Sequence, residues 1–351
     1  MIQNNLLLYC RSGFEKECAA EIMDVMSAAN IPGYIKAKPD SALVQFVCSA
    51  DYSIENLQQQ VNFNELIFAR QMMVMTGLLN KLPVDDRISP ILASLDSLDI
   101  HFYDVMVETA DTNEAKQLSS FCKKFTHPIR QQLKQQQRIN YSSPYRLQLC
   151  FLSSTACYIG ITQKNNSSPD AMGIKRLKFP KSAPSRSTLK LEEAFKTMLT
   201  PDETGQILKN GMTAVDLGAC PGGWTWQMVQ RGIRVEAIDN GAMDSKLMDS
   251  GLVKEIAADG FKYRPDRRVD WLICDMVERP LHIARLMSKW LVDGDCRYAA
   301  FNLKLPMKQR YMIVMQCIDV IIDALDEAGI EAEVRVKHLY HDREEVTVIV
   351  F

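Results

Sequence analysis

Residues 213–227 read TAVDLGACPGGWTWQ. An apolar run ends at Asp216-Leu217, a glycine-rich turn follows from Gly218 to Gly223, and a helical stretch begins at Trp224. Glycine at a strand-to-helix turn lets the backbone approach a ligand closely, and the N–H groups that open a helix are donors without partners. The spacing is not G-x-G-x-x-G and the G-K-[ST] of a phosphate-binding loop is absent, which disfavours a pyrophosphate or nucleoside triphosphate site. A turn that only reverses the chain has little need of Gly-x-x-Pro-Gly-Gly at the end of a sheet strand.

Outward from this turn the pattern is regular. The candidate strands TAVDLG, RVEAID, VKEIAAD, VDWLICD and RYAAFNLK alternate with helical stretches, the mark of a parallel, doubly wound α/β sheet. Between the strands AEVRVKHLY and EEVTVIVF only residues 341–344 remain, too few for a crossover helix, so these two must pair as an antiparallel hairpin. A parallel sheet finished by such a hairpin resembles the class I methyltransferase sheet. The second strand ends at Asp239, about twenty residues past the glycine turn, where a carboxylate can accept both ribose hydroxyls of an adenosine. The third ends at Asp259-Gly260, placed to meet an adenine edge.

The preceding half is different. LLLYC, a helical stretch from Gly13 to Ala29, ALVQFVC, FARQMMVMTG, HFYDVMVETA, a basic helix from Glu114 to Gln136 and a hairpin-like YRLQLCFLSSTACYIGIT make an α+β region over residues 1–165. A subdomain break is expected near residues 60–85. The run from Gln163 to Ser187 is basic and rich in Asn, Ser, Pro and Gly, so residues 166–184 read as a basic linker, with the boundary between Pro169 and Ser185, and residues 185–351 form the second domain.

The chain has 351 residues, 47% of them apolar, so it can bury two cores. Its formal net charge of −2 gives no bulk attraction to polyanions, but the charge is uneven. Lys116 to Arg146 holds seven Lys/Arg and no acid, and Lys164 to Lys190 seven more against Asp170 alone. One such run is most often a solvated face; two flanking one junction favour a polyanion partner. The ten cysteines are scattered singly with no C-x-x-C, which argues against both a zinc site and a disulfide framework. With no apolar run of about 18 residues and no cationic, cleavable N-terminus, the expectation is a cytoplasmic protein that uses neither membrane nor metal.

DLGACPGGWT with Asp239, Asp259 and the strand-ending Asp275 resembles the S-adenosyl-L-methionine site of the FtsJ-type 2′-O-ribose RNA methyltransferases. That family carries a Lys-Asp-Lys-Glu tetrad, and this chain matches it in order. Ser185-Arg-Ser-Thr-Leu-Lys190-Leu supplies the first lysine and Cys274-Asp275-Met276 the aspartate. Phe301-Asn-Leu-Lys304-Leu supplies the second lysine, and Glu345, immediately before the terminal apolar run, the glutamate. The resemblance covers residues 185–351. It implies cofactor contacts at Ser187, Gly218, Cys220, Pro221, Gly222, Gly223, Trp224, Asp239, Asp259 and Asp275, and a catalytic set of Lys190, Asp275, Lys304 and Glu345. Over the whole chain the likeness is to bacterial enzymes that methylate a cytidine 2′-hydroxyl of 23S ribosomal RNA and carry an N-terminal THUMP-containing RNA-binding region. The implied partner is that RNA or a large-subunit precursor, not DNA, and the protein is expected to be a monomer.

A ribose 2′-hydroxyl is a poor nucleophile near neutral pH, so transfer needs proton removal and tight alignment. Lys304 is the expected base. Desolvation and the second cation, Lys190, would lower its pKa, while Asp275 and Glu345 oppose the shift, so its sign is open from sequence. Taken singly, each of these residues reads as an ordinary surface or strand-end charge; their order and spacing carry the case. Cys220 as a covalent nucleophile, Trp224 or Trp226 as base-stacking platforms, and His338 or His341 as groove residues are weaker readings than packing and turn roles. The rival functions are 2′-O-methylation of tRNA or mRNA, methylation of a base, a non-catalytic RNA-binding protein that retains the cofactor, and, more remotely, NAD-dependent oxidation.

Overall fold

The structure is a computed structural model and describes residues 4–351. The described residues divide into two compact units, the first ending at Ile174 and the second running Lys175–Phe351.

The first unit runs β1 (Asn5–Tyr9), α1 (Glu15–Ala28), β2 (Gly33–Ala37), β3 (Leu43–Cys48), α2 (Ile54–Gln60), β4 (Gln71–Leu79), α3 (Ile88–Ser94), β5 (Asp104–Thr109), α4 (Ser119–Gln135), β6 (Tyr145–Ser153) and β7 (Ala156–Gln163). The strands make one sheet in the order β2-β3-β1-β4-β7-β6-β5, antiparallel throughout except for the β5–β6 pair. The sheet is not interrupted across residues 60–85, because β4 pairs with β1 on one side and β7 on the other. The methionines of β4, Met72, Met73 and Met75, are buried core residues. Methionine's flexible thioether fills such irregular space well.

The linker expectation needs correction at its start. Asn166 donates to Gln58 O (2.8 Å) and Val61 O (2.7 Å), Ser168 N donates to Gln71 Oε1 (3.0 Å), and Ile174 is buried. Residues 166–174 belong to the first unit because their polar groups satisfy its backbone, which composition alone does not disclose.

The second unit runs α5 (Thr188–Met198), α6 (Pro201–Ile207), β8 (Thr213–Leu217), α7 (Gly223–Val229), β9 (Arg234–Ile238), α8 (Ser245–Met248), β10 (Val253–Ile256), β11 (Val269–Cys274), α9 (Pro280–Val292), β12 (Cys296–Lys304), α10 (Arg310–Glu327), β13 (Val334–Lys337) and β14 (Glu345–Val350). The sheet order is β10-β9-β8-β11-β12-β14-β13. β10 through β12 are parallel, and β14 inserts antiparallel between β12 and β13. Apolar side chains from β8, β11 and β12 meet helices α5 and α7 in a core centred on Phe195, Trp224 and Trp271.

Two strand ends fall short of expectation. β13 stops at Lys337 because the next N–H groups are taken by side chains: Leu339 N donates to Asp342 (3.1 Å), and Tyr340 N and His341 N donate to Glu193 (2.9 and 2.8 Å). β10 stops at Ile256, and Asp259 lies beyond it in a turn that accepts Phe261 N (3.0 Å). Side-chain acceptors here outcompete the ladder.

Candidate active site

The order of the parallel strands reverses between β8 and β11: the chain proceeds from β8 outward to β9 and β10, then returns to β11 and continues to β12. In open α/β sheets such a reversal opens a crevice at the carboxyl ends of the strands. The Gly218–Gly223 turn after β8, Asp239 after β9, and Asp275 after β11 all lie at those ends.

The catalytic side of the crevice is built by register. Lys304, the last residue of β12, stands opposite Glu345, the first of β14, and Asn302 stands opposite Thr347. Side chains alternate along a strand, so Asn302 and Lys304 share one face with Thr347 and Glu345. Asp275 follows β11, and the first turn of α5 brings in Lys190. Lys190 Nζ lies 3.0 Å from Asp275 Oδ2 and 2.6 Å from Glu345 Oε1. Lys304 Nζ lies 2.5 Å from Asp275 Oδ1 and donates to Glu345 Oε2. Two ammonium and two carboxylate groups thus interleave, each touching both opposite charges and all largely withdrawn from solvent.

Burial alone would depress the Lys304 pKa, but the charges of Asp275 and Glu345 and their hydrogen bonds outweigh it, and the net shift is upward. The sign left open by sequence is therefore toward a resting ammonium.

Sequence reasoning missed the support beneath these four. Asn302, fully buried, donates to Asp275 Oδ1 (2.9 Å), and Thr347 donates to Asn302 Oδ1 (2.7 Å). Thr347 Oγ1 also lies 3.0 Å from Asp342 Oδ2. Burial, with Glu345 and Glu193 adding to it, pushes the Asp342 carboxyl well above the ordinary range. The available signal was the i−2 and i+2 spacing from Lys304 and Glu345, which places Asn302 and Thr347 on the tetrad face.

On the other side of the crevice, Ser187 at the head of α5 packs on the glycine turn: its Oγ is 2.7 Å from Ser185 Oγ, and a Cβ on Gly223 would lie 2.1 Å from it. Gly218 takes φ +74°, and a Cβ there would meet Met276 Cγ at 2.5 Å. Gly222 caps α7 in the left-handed region, following Pro221. Cys220 N donates to Asp239 Oδ2 (3.0 Å) and Gly241 N to Asp239 Oδ1 (2.9 Å), so Asp239 ties the turn to the end of β9 and keeps its remaining lone pairs. Asp259 is exposed. Trp224, by contrast, is 2% exposed and packs in the core against α5, so its side chain is placed for packing rather than for a bound ligand. Burial, with Asp239 and Glu255, pushes the Cys220 thiol up, and its Sγ donates to Ala242 O (3.0 Å), both unfavourable to a thiolate nucleophile. Under the turn, buried Asp216 accepts from Thr225 Oγ1 (2.6 Å); burial raises its pKa to about 7 against that hydrogen bond, with Asp275 and Asp239 adding to the rise.

Strand order, glycine turn and acidic strand ends define a class I methyltransferase. The FtsJ-like methyltransferase family matches residues 183–305, the RlmM ferredoxin-like domain residues 3–73, and the N-terminal domain of ribosomal RNA large subunit methyltransferase M residues 86–163. Ribosomal RNA large subunit methyltransferase M of Yersinia enterocolitica is 51% identical over 99% of this chain and 95% of its own; that of Mannheimia succiniciproducens is 49% identical over 98% of each. Among solved structures, Aeropyrum pernix fibrillarin with natively bound S-adenosyl-L-methionine is 14% identical with a TM-score of 0.34, covering 58% of this chain and 81% of its own. The chain belongs to the ribosomal RNA large subunit methyltransferase M family. It is a ribosomal RNA methyltransferase whose cofactor is S-adenosyl-L-methionine. Among the described residues no helix is long and apolar enough to cross a membrane.

Proposed function

We propose that the enzyme methylates the 2′-hydroxyl of a cytidine in 23S ribosomal RNA or its precursor, with Lys304 as general base. The observation that carries this reading is the interleaved contact of Lys190, Asp275, Lys304 and Glu345 at the strand ends. The residues of the turn suit S-adenosyl-L-methionine: the approach at Gly218 and Gly223 leaves no room for a Cβ, and Asp239 retains acceptor capacity. Gly218, the backbone of residues 220–223, Ser187, Asp239, Asp259 and Asp275 would hold it. When bound, it supplies an electrophilic methyl on a positively charged sulfur.

The chain's own residues supply alignment and proton transfer. Neutral Lys304 takes the 2′-hydroxyl proton and ends as an ammonium between Asp275 and Glu345. Lys190 holds those two carboxylates in place, and Asn302 fixes Asp275 from below. A base-methylating site would have no need of an amine at this position, which favours the ribose. We assign RNA holding to the THUMP-type N-terminal region, where α4 carries exposed Lys123, Lys124 and Lys134. We further read the protein as a cytoplasmic monomer.

The test is labelled-methyl transfer onto protein-free large-subunit ribosomal RNA from a strain lacking the gene, with nuclease mapping and nucleoside analysis. One 2′-O-methylcytidine is expected. Lys304→Ala should abolish transfer and leave cofactor affinity within about twofold of wild type; wild-type-like turnover by that variant refutes the base assignment.

A further inference from the structure

Among the described residues, the two most exposed large apolar side chains stand beside the tetrad. Val277 is 90% exposed and lies two residues past Asp275; Met307 is 92% exposed and lies three residues past Lys304. Their parent strands, β11 and β12, are hydrogen-bonded neighbours, so both loops leave the same end of the sheet. Scattered exposed apolar residues need no explanation, but two at the mouth of one site do.

Neither loop is loose. Leu305 N donates to Glu344 O (2.7 Å), Arg310 Nη2 donates to Glu344 Oε2 (2.6 Å), and Arg310 Nε donates to Pro306 O (3.2 Å). These bonds clamp the segment bearing Met307 at both ends onto the residue next to Glu345. Gln309 closes it with φ 58°, a left-handed conformation rarely held by a residue other than glycine. On the other loop, Met276 fills the space over Gly218, so the next residue, Val277, turns outward. Each of the three chain segments at this mouth also carries one exposed cation, Arg279 after β11, Lys308 after β12 and Arg343 before β14. Of the carboxylates among them, Glu344, 60% exposed, is matched by Arg310, and Glu278, 33% exposed, accepts from Arg279 N (2.7 Å) and lies 3.8 Å from His282 Nδ1.

We propose that this rim is the acceptor-nucleotide site: Val277 and Met307 grip the target nucleobase from two sides, and Arg279, Lys308 and Arg343 hold the flanking phosphates. The inference rests on the ribose reading above. A 2′-oxygen at Lys304 puts the base, carried on the adjacent ribose carbon, at the edge of the tetrad where the two apolar side chains stand. A nucleotide inside a folded RNA must leave its stack to reach such a site, and apolar contact with its faces offsets part of that cost. Apolar grip with cationic flanks is the chemistry of single-stranded nucleic acid recognition. It suits a nucleotide and does not suit an acidic peptide, which offers no flat apolar face.

Two measurements on the full-length enzyme test this. Ultraviolet crosslinking to the protein-free ribosomal RNA described above, followed by peptide mapping, should place nucleotide adducts in residues 276–279 or 305–309. The double variant Val277→Ser with Met307→Ser should lose about tenfold in kcat/KM for RNA while S-adenosyl-L-methionine affinity stays within about twofold. Met307→Leu, which keeps the apolar surface, should retain activity. Lys308→Glu with Arg343→Glu should weaken RNA binding and flatten its salt dependence. Unchanged kcat/KM in the serine double variant, or adducts confined to other segments, overturns the proposal. Should the methyl be found on a base while adducts still fall on the rim, the ribose reading fails and the nucleotide site stands; a 2′-O product with a silent rim does the reverse.

Discussion

At the tetrad, Lys304 starts from an unfavourable protonation state for a base. Its ammonium is held between two carboxylates, and their attraction exceeds the desolvation that would release the proton. Activity must then follow the small fraction of neutral amine, which grows tenfold per pH unit. The expected single-turnover rate at saturating RNA and cofactor rises with pH at a slope near 1 between about pH 7 and 9, and Lys304→Arg, which stays charged, is silent at every pH. A flat profile over that range removes Lys304 as the base. Asp216 gives a second pH signature, this one in stability. Its folded carboxyl holds its proton up to about pH 7, above the ordinary 3.8, so its contribution is fully present below the unfolded pKa and is lost as pH rises through the folded one. Asp216→Asn keeps an acceptor for Thr225 and carries no charge. Relative to wild type, its unfolding free energy in the absence of cofactor should improve by about 2–3 kcal/mol between pH 5 and pH 8, measured by denaturant titration of the second unit's tryptophan signal. An equal pH dependence in both proteins contradicts this account. Asp216 was legible only as the end of a strand, because burial is set by the α7 and β11 packing around it.

At the level of elements, the β12–β14 pairing decides the chemistry. The apolar run after Glu345 and the shortness of the connection made the antiparallel ending legible, and the family order of Lys190, Asp275, Lys304 and Glu345 made the four charges legible. Asn302 and Thr347 were not, since only the Asn302–Thr347 and Lys304–Glu345 register stacks one pair under the other. Read along its own strand, FNLK makes Asn302 look like a stray polar residue in a core strand, and Thr347 looks like one of many β-branched residues. Their hydrogen bonds give each a partner and a role, since Thr347 orients the Asn302 amide, which in turn donates to Asp275. A hydrogen bond to a charged acceptor contributes about 1.5–3 kcal/mol, and a neutral one about 1 kcal/mol. Asn302→Ala is therefore expected to lower kcat roughly 10- to 100-fold, and Thr347→Val roughly fivefold, with RNA KM nearly constant and Thr347→Ser close to wild type. A change confined to melting temperature, with kcat intact, would make the pair purely structural.

Across the whole molecule, charge is sorted in a way that sequence counts could not anticipate. Of the seven cations between Lys116 and Arg146, Arg146 is buried with Nη2 on Ser168 O (2.8 Å). Arg130 and Arg138 pair with Asp104 (2.7 Å) and Asp96 (3.2 Å), acids contributed by segments outside the run. Lys164 lies over the Tyr103 ring at 5.7 Å, and Lys190 belongs to the tetrad. A cation already matched within the fold releases few counterions on meeting a phosphate, so the residues of that run left to hold RNA are Lys116 and the exposed lysines of α4. Triple replacement of Lys123, Lys124 and Lys134 by Glu in the full chain should make the slope of log affinity against log salt shallower by about 2–3 units. Cofactor affinity should not move, and the rate at saturating RNA should stay within about twofold of wild type, because the tetrad draws all its residues from the second unit. Replacing the paired Arg130 and Arg138 by Gln instead should leave the salt slope nearly unchanged and cost stability, since each leaves a carboxylate without its partner. A salt slope that responds to the arginines and ignores the lysines would place the RNA on a different face of the first unit.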